Sequence, residues 1–248
     1  MTRFLDNMKL SALATAIAFA AMASAQESGG SSSAASAGAA QQAAEAAELK
    51  ELAPLFAKLH KMTMAHGTIM CLAFVIFFPA GSFVIRLGKF KGAIYVHAAI
   101  QMFAYMMAIA GMGMGSWIAH APKKLGRRTL FHEYHPIIGY TIIAALVFQP
   151  ALGALHHAVY VREGRRSIWS YLHVWWGRIV LTLAIIQGGL GLRFANNTHG
   201  GKIAYGVVAG LVWISWLGVA VWHDTKKAKT QTVVEKRSDS EEMTPIGG

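Results

Sequence analysis

Four histidines occupy matching places in four long apolar runs: His66, His97, His135 and His173. Neutral imidazole binds haem iron well and carries no charge into an apolar setting. Two imidazoles on one iron fill both axial positions, which favours electron transfer over oxygen chemistry. Each histidine lies near the start of its run. Consecutive membrane helices run in opposite directions, so the four starts alternate between faces. His66 and His135 fall near one face, His97 and His173 near the other. Two layers of two histidines is the arrangement that two haems need.

Other residues could support this chemistry. Gly139 follows His135 by four residues, and Gly177 follows His173 likewise. Positions i and i+4 share a helix face, so these glycines would leave room for a flat macrocycle. His97 has Gln101 at that offset and His66 has Met70. Arg178 lies inside the fourth run, where a buried arginine needs a partner. A haem propionate would serve, as would snorkelling or backbone carbonyls. Gln101, Gln149 and Gln187 could bond to haem edges or to the ligands themselves, or act as polar contacts between helices. Glycines at 111, 113, 115, 188, 189, 191, 206 and 210 would permit close packing.

Each signal has a blander reading. A single histidine near a helix end is more often an interface residue; the set of four in alternating layers is what argues for ligation. His60, His120, His132, His156, His157, His199 and His223 fit the layers less well and are read as non-ligands, with His132 nearest to His135. The methionines of the second run, such as Met102 and Met106, read as packing. Cys71 is the one cysteine, so the chain has no intramolecular disulfide and no C-x-x-C-H site for covalent haem.

The elements that must position these histidines are membrane spans. Hydrophobic residues make up 54% of the 248 residues and charged ones only 14%, against about a quarter charged in soluble domains. Five apolar segments run Met64–Ile85, Ala93–Ile118, Pro136–Tyr160, Ile168–Leu192 and Ile203–Trp222. Each is long enough to cross about 30 Å of hydrocarbon. No Asp or Glu interrupts them, and Trp117, Tyr134, Tyr160, Trp169, Tyr171 and Trp222 stand near their ends as interface anchors. The fold class is therefore all-α: an integral membrane bundle of five transmembrane helices, four of them forming a di-haem core. The fifth carries Gly206 and Gly210 and would close the bundle or support a homodimer. The net charge of +11 sits in short loops, which suits anionic lipid headgroups rather than nucleic acid.

Residues 1–25 read as a cleaved signal peptide, with Arg3 and Lys9 ahead of a short apolar stretch and Ala23-Ser24-Ala25 at its end. Residues 26–61 read as an extracytoplasmic low-complexity linker with a short helix interrupted at Pro54. Residues 62–223 form the transmembrane domain, and 224–248 a charged disordered tail. The signal peptide puts the N-terminus outside and the C-terminus in the cytosol, on a membrane of the secretory pathway. Loop charges agree only by a slim margin, because Lys123, Lys124, Arg127 and Arg128 fall in an outside loop.

These features resemble the transmembrane cytochrome b561/ferric reductase domain, in the form that usually follows a DOMON domain. The resemblance rests on HGTIM at 66–70, HPIIGY at 135–140, QPALGALHHAVY at 149–160, SYLHVWWGR at 170–178 and QGGLGL at 187–192. It implies haem b, two per chain, with His66 paired to His135 and His97 to His173. It also implies electron flow from a cytosolic reductant, typically ascorbate, to an outside acceptor such as ferric iron or a redox protein. An ascorbate-dependent ferric reductase activity would be one form of this. No DOMON segment precedes the spans in this sequence, which leaves the outside acceptor open, and Gln187 stands where many relatives have asparagine. The basic stretch REGRRS at 162–167 would attract a monoanion such as ascorbate. Competing readings are a non-haem histidine metal site and a transporter or scaffold. The lack of carboxylates within the spans disfavours di-iron chemistry and proton-coupled transport.

Overall fold

A computed structural model describes residues 32–125 and 128–242. The segment read as a signal peptide and Arg127 of the second loop lie outside the described residues. Every regular element among the described residues is helical. Helix α1 runs Ser32–Cys71 and passes through a π-helical turn, Leu72–Phe77, into α2, Phe78–Leu87. Then follow α3 at Ala93–His120, α4 at Tyr134–Glu163, α5 at Ile168–Phe194 and α6 at His199–Glu242. Five helices in this set are long and apolar enough to cross a membrane, with α1 and α2 counting as one span.

Two stretches are more helical than composition suggested. Residues 32–61 belong to α1, and Pro54 lies inside that helix rather than ending it. Proline removes one backbone hydrogen bond, but the surrounding Ala, Glu, Leu and Lys are strong helix formers. At the other end, α6 continues past the apolar run to Glu242.

Local chemistry sets the boundaries. Gly92 (φ +90°) precedes α3 and Gly164 (φ +67°) follows α4, both in the left-handed region that favours glycine. The Gly164 N–H donates to the Tyr160 carbonyl at 2.9 Å, closing the last turn of α4. At the start of α5, the Ser167 N–H donates to Ser170 Oγ at 3.3 Å.

The spans pack as two antiparallel hairpins, α1–α2 with α3 and α4 with α5, and α6 lies against α2 and α5. Along one stripe of α6, Tyr205, Trp213 and Trp216 each reach across. The Tyr205 hydroxyl donates to the Ile185 carbonyl at 2.6 Å. Trp213 Nε1 donates to Thr182 Oγ1 at 3.0 Å, and Trp216 Nε1 donates to Ser82 Oγ at 2.9 Å. Ala209 and Ala220 fill the same stripe between them. Among the described residues, a side chain at Gly206, Gly210 or Gly113 would meet no other atom within 4 Å.

The core is an apolar belt at mid-bundle. Ala73, Phe74, Val75 and Phe78 meet Ala104 and Ala108 of α3, Ile142, Ile143 and Leu146 of α4, and Val180, Leu181, Ala184 and Ile185 of α5. Ala104 and Ala108 are fully buried, which allows α3 to approach closely. Ala104→Leu should overpack this belt and cost about 1–3 kcal/mol, read as a lower Tm in detergent. Met106→Leu, at a position 60% exposed, should leave the Tm unchanged.

Candidate functional site

The two histidine layers lie on either side of the apolar belt. His66 reaches from α1 to α3, where its Nδ1 donates to the Gly111 carbonyl at 2.7 Å. His97 makes the reverse contact: from α3, its Nδ1 donates to the Gly81 carbonyl of α2, also at 2.7 Å. A carbonyl only accepts, so Nδ1 must carry the proton in each ring. In neutral imidazole the lone pair then sits on Nε2, the atom left to bind a metal. Gly111 lies fourteen residues beyond His97, which puts the layers about 20 Å apart at 1.5 Å per residue.

Glycines cradle the rings. A Cβ on Gly115 would lie 2.9 Å from His66 Cε1, one on Gly191 2.6 Å from His135 Cε1, and one on Gly153 3.2 Å from His173 Cε1. The glycines four residues after each ligand do something else. Gly139 faces Gln187, and Gly177 faces Gln149. They make room for a glutamine from the neighbouring helix, where the sequence suggested room for a macrocycle.

In one layer the His66 and His135 rings stand 6.1 Å apart, centre to centre, at 89°. Two imidazoles on opposite sides of one metal would have ring centres about 6 Å apart, given metal–nitrogen bonds of about 2 Å. The observed centre-to-centre spacing matches that distance. Phe194 stacks on the outer side of His135 at 5.9 Å.

In the other layer His97 and His173 line one cavity of about 810 Å³, walled by all five spans. That volume is within the range of cofactor and ligand sites, about 300–1,000 Å³. Gln101 also lines it, donating from Nε2 to the Phe78 carbonyl at 3.2 Å. The charged groups on its wall are Arg86, Arg166, Arg178 and Asp224, three guanidinium groups and one carboxylate among the described residues. Arg178 is only 7% exposed and donates to Asp224 at 2.5 Å, while Arg166 approaches the other oxygen of Asp224 at 3.4 Å. The partner of Arg178 in the structure is thus an acidic side chain, neither a backbone carbonyl nor open water.

Three features escaped sequence reasoning. Asp224 was read as part of a tail, yet it continues the Tyr205–Ala209–Trp213–Trp216–Ala220 stripe by one more helical step. His156, read as a non-ligand, stacks on His173 at 6.0 Å and 19° and bonds through Nδ1 to Ser170 Oγ at 2.7 Å. By contrast His132, which the sequence already offered as the nearest substitute for His135, lies before α4 beside Glu133 at 3.4 Å. The third feature is a repeat. His135, Gly139, Gln149 and Gly153 recur as His173, Gly177, Gln187 and Gly191, each thirty-eight positions later. Its pattern, H-x3-G-x9-Q-x3-G, was visible in the sequence as two H-x-x-x-G pairs only.

A family model described as eukaryotic cytochrome b561 matches residues 59–197, a stretch that contains all four of these histidines. No solved structure matches the chain. The cradle geometry yields a direct test with an iron porphyrin as probe. Gly191→Val should push the His135 ring aside and halve the porphyrin bound per chain, measured by Soret absorbance. Gly206→Val, whose first added carbon meets no atom of the described residues within 4 Å, should leave binding intact.

Proposed function

The chain belongs to the eukaryotic cytochrome b561 family, integral membrane proteins that move electrons through haem, and from that premise we propose a specific assignment of its residues. His66 and His135 ligate one b haem, and His97 and His173 ligate a second. The observation that carries this reading is the pair of Nδ1–H bonds from His66 and His97 to backbone carbonyls. They leave Nε2 lone pairs for iron in both layers, and in one layer the ring spacing already suits a shared metal. Haem b supplies a one-electron ferric/ferrous couple, and two such groups at different depths would divide the membrane into short steps.

The rest of the site supports the assignment. The cavity wall carries an excess of two positive charges, matching the two propionates of one haem b. Arg178 already holds a carboxylate, that of Asp224, and guanidinium groups suit such partners. Arg178 and Gln101 are accordingly assigned to haem binding. The apolar belt around Val75, Ile142 and Ile185 would keep water and ions out of mid-bundle, so that charge crosses without an ion leak.

We assign the cavity end to the cytosol, with ascorbate or a similar reductant as donor. The exposed arginines Arg162 and Arg165 of the basic stretch at 162–167 would attract an anion there. The acceptor at the His66–His135 end would be ferric iron or a redox protein, with the N-terminus on that side. This direction follows from the signal-peptide reading of residues 1–25. A homodimer through the open glycine face of α6 is compatible with this arrangement.

Purified protein should show a reducible b-type spectrum with two haems per chain. His97→Ala and His135→Ala should each lose one. Retention of both haems in either variant would overturn the ligand assignment. Vesicles holding ascorbate inside should reduce ferric chelate outside, and neither single variant should do so.

A further inference from the structure

The repeat in α4 and α5 makes almost every contact twice. Because the helices are antiparallel, each histidine meets the glutamine and final glycine of the other copy. Gly153 seats His173, and Gly191 seats His135. Gln149 Nε2 donates to the His173 carbonyl at 3.4 Å, and Gln187 Nε2 donates to the His135 carbonyl at 2.5 Å. The Gln187 amide also lies 2.8 Å from His135 Nδ1.

Two buried atoms of this unit have no hydrogen-bond partner: Gln187 Oε1 and His173 Nδ1. They are complementary. In one copy the acceptor lacks a donor, and in the other the ring nitrogen lacks a partner. The same bond, Nδ1–H to glutamine Oε1, would satisfy both. An amide exchanges its oxygen and nitrogen by a half-turn about its last torsion. For Gln187 that turn brings Oε1 to His135 Nδ1; because the same amide position lies 2.5 Å from the His135 carbonyl oxygen, the side chain must also draw back from that carbonyl as it turns.

We infer that Gln187 and Gln149 are positioning residues for His135 and His173, each accepting Nδ1–H from the histidine on the neighbouring helix. This rests on the haem-ligand reading above. It completes a common pattern: every ligand ring would be held through Nδ1 by a partner helix. His66 and His97 use backbone carbonyls; His135 and His173 use amide side chains. Each haem would therefore have one ligand held by backbone and one held by glutamine. Only the second kind can be altered by substitution. An acceptor on Nδ1 raises the basicity of Nε2 and fixes the ring orientation.

The test is redox titration of the haem-loaded full chain, with low-spin ferric electron paramagnetic resonance alongside. Gln187→Glu offers a stronger acceptor and should lower the midpoint potential of one haem. Gln187→Met removes the acceptor at similar size and should raise that same potential. It should also weaken binding of that haem about 10–100-fold. The matching Gln149 variants should move only the other haem. Unmoved potentials, or Glu and Met variants shifting the same way, would overturn the inference while two haems per chain are retained. A wild-type chain without two b haems would instead overturn the ligand reading beneath it.

Discussion

The bond from a histidine Nδ1 to a group on the neighbouring helix is the constraint on which the rest of the bundle turns. It does two things at once. It ties antiparallel helices together in a medium that offers no water to compete for the donor. It also decides which ring nitrogen keeps its lone pair. His66 on Gly111 and His97 on Gly81 are reciprocal, so the first hairpin is stitched near both ends by the groups that would do the chemistry. Glycine is required opposite the rings for a steric reason. At Gly115 and Gly191 a single added carbon would lie under 3 Å from the imidazole.

The π-helical turn in the first span keeps this reciprocity in register. Gly111 follows His97 by fourteen residues, but Gly81 follows His66 by fifteen. In an uninterrupted α-helix the one extra residue would rotate Gly81 about 100° from where a fourteen-residue spacing would put it. The wider turn at Leu72–Phe77 absorbs it, and Ala73, Phe74 and Val75 of that turn remain buried in the core. Such insertions tend to occur at functional sites. Here the turn lies between two contacts that must share one face.

Much of this was legible in the sequence, because apolar run length and histidine placement are strong one-dimensional signals. Five spans and two alternating layers follow from counting residues, and the haem-b family follows from five short motifs. Several features were not legible, each for a physical reason. Pro54 reads as a break because propensity is local, while the helix formers on both sides decide the outcome. The π turn leaves no mark on an apolar stretch whose residues suit either geometry. Asp224 looks like tail composition until the stripe on α6 is known to face α5, where it meets Arg178. Gly139 and Gly177 signalled space correctly, but the sequence could not say what fills it.

The two hairpins touch each other much less than the helices within each one do. Each proposed ligand pair, however, takes one histidine from each hairpin: His66 with His135, and His97 with His173. A cofactor held by such a pair would therefore brace the weaker interface at two depths. The fifth span braces the same interface from outside. It joins α2 through Trp216 and Ser82, and α5 through Trp213 and Thr182. Near its end, Asp224 bonds Arg178 of α5 on the wall of the cavity. Holding the halves together and building the electron path are thus the same structural task, and a span without a ligand histidine still serves it.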